Sequence, residues 1–167
     1  MRSIVLVVHN VRSAHNVGSI LRTADGLGIE KVYLTGYTPY PPGPNDQRLP
    51  HLAQKAGRQI QKTALGAETT VPWERTANVL ALINDLKSSG YDIAALEQTE
   101  KATALNCYKP VKNAALIVGS EIGGLQKRIL DRADRHLEIP MQGKKESFNV
   151  AVAAAIALYH LSAANAV

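Results

Sequence analysis

The fold of this chain is decided by residues 139–150, which read Ile139-Pro140-Met141-Gln142-Gly143-Lys144-Lys145-Glu146-Ser147-Phe148-Asn149-Val150. An apolar approach ends at Pro140, and an alanine-rich run follows Asn149. A strand that stops at Pro140 and a helix that begins near Ser147 leave a tight polar loop between them. The free backbone N–H groups at a helix start can bind a polar ligand. The stretch therefore predicts a small-molecule site at the end of a sheet.

The composition is that of a soluble globular protein. The chain has 167 residues, 46% hydrophobic and 20% charged, which suits a single domain over residues 1–167. Its net charge of +5 is compatible with a nucleic-acid partner without proving one. The lone Cys107 excludes an intrachain disulfide and favours a reducing compartment. The apolar runs at both ends are too short for a signal peptide or a membrane span. We therefore expect a cytoplasmic protein that does not associate with a membrane.

Strand-like and helix-like segments alternate along the chain, which predicts an α/β fold with a mostly parallel sheet and helices on both faces. The proline-rich residues 36–50 predict an irregular loop. The expected strands are 3–8, 31–35, 70–73, 91–96, 114–118 and 136–139. The expected helices lie within 17–28, 52–60, 76–88, 125–133 and 147–161.

Three segments at predicted strand ends are rich in polar residues: 10–24, 117–125 and 139–150. The carboxyl ends of parallel strands share one edge of a sheet, so these loops are expected to converge on one crevice. No GxGxxG follows the first strand and no GxxxxGK[ST] occurs, which argues against dinucleotide and P-loop sites. The five histidines lack metal spacing, so no metal is expected. A Ser–His–Asp triad stays open, although no GxSxG supports one.

Taken together, the three loops resemble the TrmH (SpoU) family of RNA methyltransferases, in the SPOUT superfamily. The shared motifs are N-x-G-x-x-x-R-T-A at 16–24, V-G-x-E-x-x-G-L at 118–125 and I-P-M-x-G-x-x-x-S-x-N-V at 139–150. Their order and spacing agree across nearly the whole chain. Phe148 stands where the family more often has leucine.

The resemblance implies a deep C-terminal trefoil knot that binds S-adenosyl-L-methionine, and a homodimer that packs through the knot. It implies methyl transfer to a ribose 2′-hydroxyl of RNA, with tRNA favoured because the chain looks like a compact form without an accessory domain. Two alternatives stay open at this stage. One is a base-directed SPOUT methyltransferase, and the other is a non-catalytic knotted RNA-binding protein.

The resemblance also implies the roles of individual residues. Arg22 is the principal catalytic candidate, held by Asn16. Because a guanidinium has a pKa of roughly 12 or above, we favour a role in which Arg22 binds a phosphate and orients the hydroxyl. The other expected catalytic residues are Glu121, Ser147 and Asn149. The expected cofactor-binding residues are Leu96, Gly119, Ile139, Met141 and Phe148.

Each of these residues also has a plain structural interpretation. Asn16 could cap the first helix, and Ser147 or Asn149 could cap the last. Gly119 could serve a turn. The joint spacing of the motifs favours the functional interpretation.

One feature points to RNA independently of the family. Basic side chains recur at steps of three and four and form one face of the second predicted helix, opposite an apolar face of Leu52, Ala56 and Ile60. Such a stripe can contact phosphates, although a solvated face is as good an interpretation. The expected RNA-binding residues on it are Arg48, Lys55, Arg58 and Lys62, with His51 among them.

The last helix is rich in alanine. Small side chains allow close packing, either against a second subunit or against the sheet.

Overall fold

The computed structural model describes residues 2–44 and 46–163. The described residues build one sheet of parallel strands. In chain order these are β1 (Ser3–His9), β2 (Lys31–Thr35), β3 (Trp73–Thr76), β4 (Asp92–Leu96), β5 (Thr103–Ala104), β6 (Asn113–Val118) and β7 (Arg135–Glu138). Across the sheet their order is β3-β2-β1-β6-β4-β7-β5. All the pairings are parallel, so every strand ends at the same edge.

Helices connect most of the strands. They are α1 (Ala14–Gly26), α2 (Pro50–Ala64), α3 (Ala67–Thr70), α4 (Val79–Ser88), α5 (Lys127–Leu130) and α6 (Val150–Ala163), with a short 3₁₀ turn at Leu105–Cys107. Within the described ranges, none of these helices combines the length and the apolar character that crossing a membrane requires.

The helices cover both faces of the sheet. Side chains alternate along a strand, so Leu6 and Val8 of β1 join a core with α1, α2 and α6, while Val5 and Val7 join a second core with α4 and α5. Residues 114–118 of β6 are buried throughout, as a central parallel strand requires. The predicted α/β fold with helices on both faces is confirmed.

The last strand lies between two strands that precede it in the chain. β7 pairs with β4 on one side and with β5 on the other, and residues 97–102 connect those two flanking strands. The N–H of Glu97 donates to the carbonyl oxygen of Leu137, which extends the pairing past the end of β4. The trefoil knot stays a prediction.

Several boundaries differ from those expected. The strand expected at 70–73 is found at 73–76, because Thr70 ends the short helix α3. The two-residue β5 was not expected, since so short a strand leaves no periodic signal. On α2, Leu52 was expected on the apolar face but is exposed, and Ala53 is buried instead.

The proline-rich loop between β2 and α2 is braced by Arg48. Its guanidinium donates to both carboxylate oxygens of Asp46 and to the carbonyl of Tyr40, and it stacks 3.5 Å over the Tyr40 ring. This arginine lowers the pKa of Asp46 to about 2. Trp73 packs beside Tyr40, with ring centroids 6.5 Å apart. Arg48 therefore holds the loop and precedes α2 instead of lying on its basic face, and its role as an RNA contact stays a prediction.

Gly18 permits the close approach of α1 to α2. A Cβ atom at this position would lie 2.2 Å from the carbonyl oxygen of Ile60 and 2.2 Å from the hydroxyl of Thr63. Because one of these atoms belongs to the backbone of α2, a rotamer change cannot make room.

We predict that Gly18→Ala lowers the free energy of unfolding by about 1–3 kcal/mol, because α2 must move away from α1. The measurement is denaturant unfolding followed by circular dichroism. Gly26→Ala is the matched control, since a Cβ atom there would meet nothing within 4 Å. Equal stability of the two variants would contradict the packing role of Gly18.

Candidate functional site

A cavity of about 620 Å³ opens at the carboxyl edge of the sheet. The loops that follow β4, β6 and β7 form its walls, together with the first turns of α6. Two of the three predicted polar segments, 117–125 and 139–150, thus line one space. The segment 10–24 meets them at its rim through Asn16.

Three side chains from the three segments form a chain of hydrogen bonds. Asn149 Nδ2 donates to Asn16 Oδ1 at 3.2 Å, and Asn16 Nδ2 donates to Glu121 Oε1 at 2.8 Å. The backbone N–H of Arg12 donates to the second oxygen of Glu121 at 3.3 Å. Residues more than 100 positions apart in the sequence are therefore fixed at one point.

Asn149 also caps α6, because its Oδ1 accepts from the N–H of Ala151 at 2.9 Å. The capping interpretation of Asn149 is therefore confirmed, and its catalytic role stays a prediction. Asn16 does not cap α1: Ser13 does so, and its hydroxyl accepts from the N–H of Asn16. The side chain of Asn16 is therefore free to bridge the other two residues.

Glu121 is held as an anion. Its partial burial acts to raise its pKa, but hydrogen bonds from its own N–H, from Asn16 and from the backbone of Arg12 and Ser13 outweigh this and lower the pKa. A carboxylate that stays ionised near neutral pH accepts hydrogen bonds and attracts positive charge.

The five residues expected to bind a cofactor all line the cavity, as do Glu121, Ser147 and Asn149. The cavity residues from that expected set are Leu96, Gly119, Ile139, Met141 and Phe148. Phe148 keeps 41% of its surface exposed, which leaves an aromatic face open to a ligand.

The wall between β4 and β6 is built around Glu97. Its carboxylate accepts from the N–H of Leu125 at 2.7 Å, and Gly124, with φ of +58°, turns the chain over it. A Cβ atom at Gly124 would lie 2.2 Å from Glu97 Oε2, and one at Gly119 would lie 2.7 Å from the backbone of Gly124. Both glycines are therefore required by close packing.

The cavity is lined by acidic side chains and by no lysine or arginine. The carboxylates belong to Glu97, Glu121, Glu138 and Glu146. Such a lining favours a ligand that carries positive charge. Among the described residues, no group of three or more His, Cys, Asp and Glu side chains is placed to hold a metal ion.

Arg22 lies away from this cavity. It is exposed on α1, six positions beyond Asn16, and so about 9 Å further along the helix on another side. The expectation that Asn16 holds Arg22 is not met within one chain, because Asn16 contacts Glu121 and Asn149.

Next to Arg22, helices α1 and α6 enclose an apolar groove of about 550 Å³. It is lined by Thr23, Gly26, Leu27, Ala155, Ile156 and Tyr159. Tyr159 is 65% exposed and Ile156 is 37% exposed, so α6 presents apolar surface to solvent.

The basic stripe on α2 is exposed as expected at Lys55, Arg58 and Lys62, and also at His51. Within residues 2–44 and 46–163, none of these side chains forms an ion pair or a hydrogen bond. Their charge is therefore available to a polyanion.

Sequence reasoning missed two residues at the rim of the cavity, Arg12 and Tyr37. Arg12 stands in a polar segment that was singled out, although no motif marked it. Tyr37 lies in the proline-rich loop. The one sequence signal for it is that aromatic residues make up only 5% of the chain.

We predict that Asn16→Ala raises the pKa of Glu121 towards its ordinary value, because one hydrogen bond to the carboxylate is lost. Carboxyl NMR titration measures the shift. Since the pKa of Glu121 is lowered in the folded protein, its contribution to stability is lost as pH falls through that pKa, and the variant loses it at higher pH. Ser147→Ala is the control, because Ser147 lines the same cavity without a hydrogen bond to Glu121. An unshifted titration in Asn16→Ala would exclude the bridge.

Comparison with known proteins agrees with this geometry. Residues 3–159 match the SpoU rRNA Methylase family. A Staphylococcus aureus protein assigned to the TrmH family of tRNA/rRNA methyltransferases is 31% identical over 95% of this chain, which spans 58% of that relative's length.

Solved structures share the fold. An AdoMet-bound rRNA methyltransferase from Sinorhizobium meliloti is 23% identical with a TM-score of 0.78, over 96% of this chain and 56% of its own. A protein studied for the 2-OH methylation of C/U34 on tRNA is 25% identical with a TM-score of 0.69, over 96% of this chain and 94% of its own. The chain belongs to the SpoU rRNA Methylase family.

Proposed function

We propose that this chain is an S-adenosyl-L-methionine-dependent RNA methyltransferase that acts on a ribose 2′-hydroxyl, with tRNA as its substrate. One observation carries the proposal: the hydrogen-bonded Asn149–Asn16–Glu121 chain stands at the mouth of an acidic cavity. Family membership supplies the class of reaction. A cytoplasmic location follows from an RNA substrate of this kind.

The cavity fits the proposed cofactor. Apolar side chains such as Leu96, Ile139 and Phe148 suit an adenine ring, and the volume of about 620 Å³ falls within the range of cofactor sites. The four carboxylates in the lining suit a sulfonium cation, which carries the positive charge of the methyl donor.

When bound, the cofactor supplies an electrophilic methyl group. The protein must then align a hydroxyl oxygen and accept one proton. Asn16, Glu121 and Asn149 fix the polar edge where the ribose enters, and Ser147 lines the same wall. The ionised Glu121 can accept a hydrogen bond from a ribose hydroxyl.

Two considerations favour the ribose and tRNA over the alternatives. The Asn16–Arg22 segment and the Ser147–Asn149 pair resemble the ribose-directed branch of the superfamily. The compact structural neighbour that was studied for 2-OH methylation of tRNA is matched over 94% of its length, so that comparison involves no large extra domain.

We further propose that the protein acts as a homodimer. The apolar groove between α1 and α6 leaves Ile156 and Tyr159 open to a second copy. Arg22 is exposed, precedes the groove residue Thr23 and does not line its own cavity, so a partner subunit could receive it. In this arrangement Arg22 would bind a phosphate next to the target ribose in the partner's site.

Incubating the pure protein with labelled S-adenosylmethionine and bulk tRNA, followed by nucleoside analysis, tests the function. We expect the label on a ribose 2′-oxygen. Label on a base would assign the chain to the base-directed methyltransferases. Tight tRNA binding without any transfer would identify a non-catalytic RNA-binding protein.

Mixing inactive subunits tests the composite site. We predict that Arg22→Ala and Glu121→Gln are each inactive alone. When an equal mixture of the two is unfolded and refolded, random pairing makes about half of the dimers mixed, and each mixed dimer has one complete site out of two. The mixture should therefore regain about a quarter of wild-type activity per subunit. The measurement is methyl transfer by the mixture. If the arginine served its own subunit's cavity, no activity would return.

The basic stripe on α2 has its own test. We predict that the double variant Lys55→Glu, Arg58→Glu binds tRNA more weakly and reduces the salt dependence of binding, because each lost phosphate contact removes about one unit of slope. Filter binding over a salt series measures both, and the affinity for S-adenosylmethionine should not change. The control reverses two exposed lysines at the opposite edge of the sheet, Lys109 and Lys112. Equal effects of the two double variants would reject a specific stripe.

A further inference from the structure

We propose that Arg12 and Tyr37 form a clamp for one phosphate of the RNA backbone at the rim of the acidic cavity. The inference rests on the proposed function in one respect, that the partner is RNA. It assigns to this rim two residues whose side chains take no part in the Asn149–Asn16–Glu121 chain.

The two side chains are neighbours beside the site. The Arg12 guanidinium carbon lies 5.9 Å from the centroid of the Tyr37 ring, within the range of a cation–π contact. The backbone N–H of Arg12 donates to Glu121, so the residue is anchored to the cavity wall while its side chain stays exposed. The pKa of the Tyr37 hydroxyl is lowered, chiefly by the side chain of Ser120 and then by that of Arg12.

The guanidinium of Arg12 has no carboxylate partner in residues 2–44 and 46–163. The nearby Glu121 accepts from the N–H of Arg12 and from Asn16, and in the described part of the chain it forms no ion pair with the Arg12 guanidinium. An exposed arginine with free donors suits a phosphate, which it can bind through two parallel hydrogen bonds.

Tyr37 is presented on a backbone that is held at several points. Its N–H donates to Asn10 Oδ1 at 3.1 Å, and Asn10 itself adopts the left-handed conformation with φ of 57°. Gly36, with φ of +67°, leaves room for that amide, since a Cβ atom would lie 1.8 Å from it. Arg75 donates to the carbonyl of Gly36 at 2.7 Å.

This support does not serve to bury the ring, because Tyr37 remains 55% exposed. The positive φ values of Asn10 and Gly36, together with the contact from Arg75, fix the turn that carries Tyr37. The ring and its hydroxyl are thus preorganised to face a ligand from solvent.

The contrast between the acidic cavity and the arginine at its rim explains why a phosphate would bind at the rim. Among the residues that the structure describes, four glutamates and no lysine or arginine line the cavity, which disfavours an RNA phosphate inside it. A ribose can approach the cavity only if the phosphates beside it are held outside. Arg12 and the Tyr37 hydroxyl supply donors at the point where the phosphate leaves the cavity mouth, and guanidinium and hydroxyl together can bind one phosphate group.

The test is equilibrium binding of bulk tRNA over a salt series, which requires no turnover. We expect Arg12→Ala to weaken binding about tenfold at low salt and to lower the slope of log affinity against log salt by about one. Tyr37→Phe keeps the ring, loses the hydroxyl and should weaken binding two- to fivefold with little change of slope. Because both residues bind one phosphate, the double variant should lose less than the sum of the two effects.

Lys112→Ala is the matched control, because it removes an exposed cation at the opposite edge of the sheet. Thermal unfolding and S-adenosylmethionine binding should match wild type in all variants. Wild-type affinity and slope for Arg12→Ala, or an equal effect of Lys112→Ala, would overturn the clamp, and an unchanged Tyr37→Phe would remove Tyr37 from it. A protein that binds tRNA but transfers no methyl group would refute the proposed function while leaving this test intact.

Discussion

The parallel pairing of β1 with β6 and of β6 with β4 is the constraint on which the site depends. Parallel strands finish at one edge, so segments more than 100 residues apart in sequence emerge side by side. The insertion of β7 between β4 and β5 adds the final segment to the same edge. A site assembled in this way has no local sequence equivalent, because each loop contributes only one or two polar side chains.

The two halves of the site have opposite charge. Glutamates line the cavity, whereas Arg12 lies at its rim and Lys55, Arg58 and Lys62 are exposed on α2. For the proposed reaction this division separates a cationic methyl donor from a polyanionic substrate, so that the two meet only at the ribose. The net charge of +5 does not reveal this arrangement, because it counts every charged residue of the chain together.

The sequence predicted the α/β class, most strands and the convergence of the polar segments, because these follow from hydrophobic periodicity and from the geometry of parallel sheets. It could not predict the two-residue β5, which is set by pairing with β7. It could not predict that Arg48 stacks on Tyr40, because that contact depends on a loop with no periodicity. Asn16 and Arg22 likewise point to different sides of α1, because successive helical residues are rotated about the helix axis. A linear sequence motif does not display this difference in direction.

Asn149 has two structural roles, and this affects how related sequences that have lost activity should be interpreted. Because its amide caps α6 as well as bonding to Asn16, selection for folding alone would preserve it after activity had been lost. Selection for folding would not preserve Asn16 in the same way, because Ser13 caps the helix that contains it. For the proposed reaction, replacement of Asn16 in α1 would therefore say more about lost activity than retention of Asn149 says about kept activity.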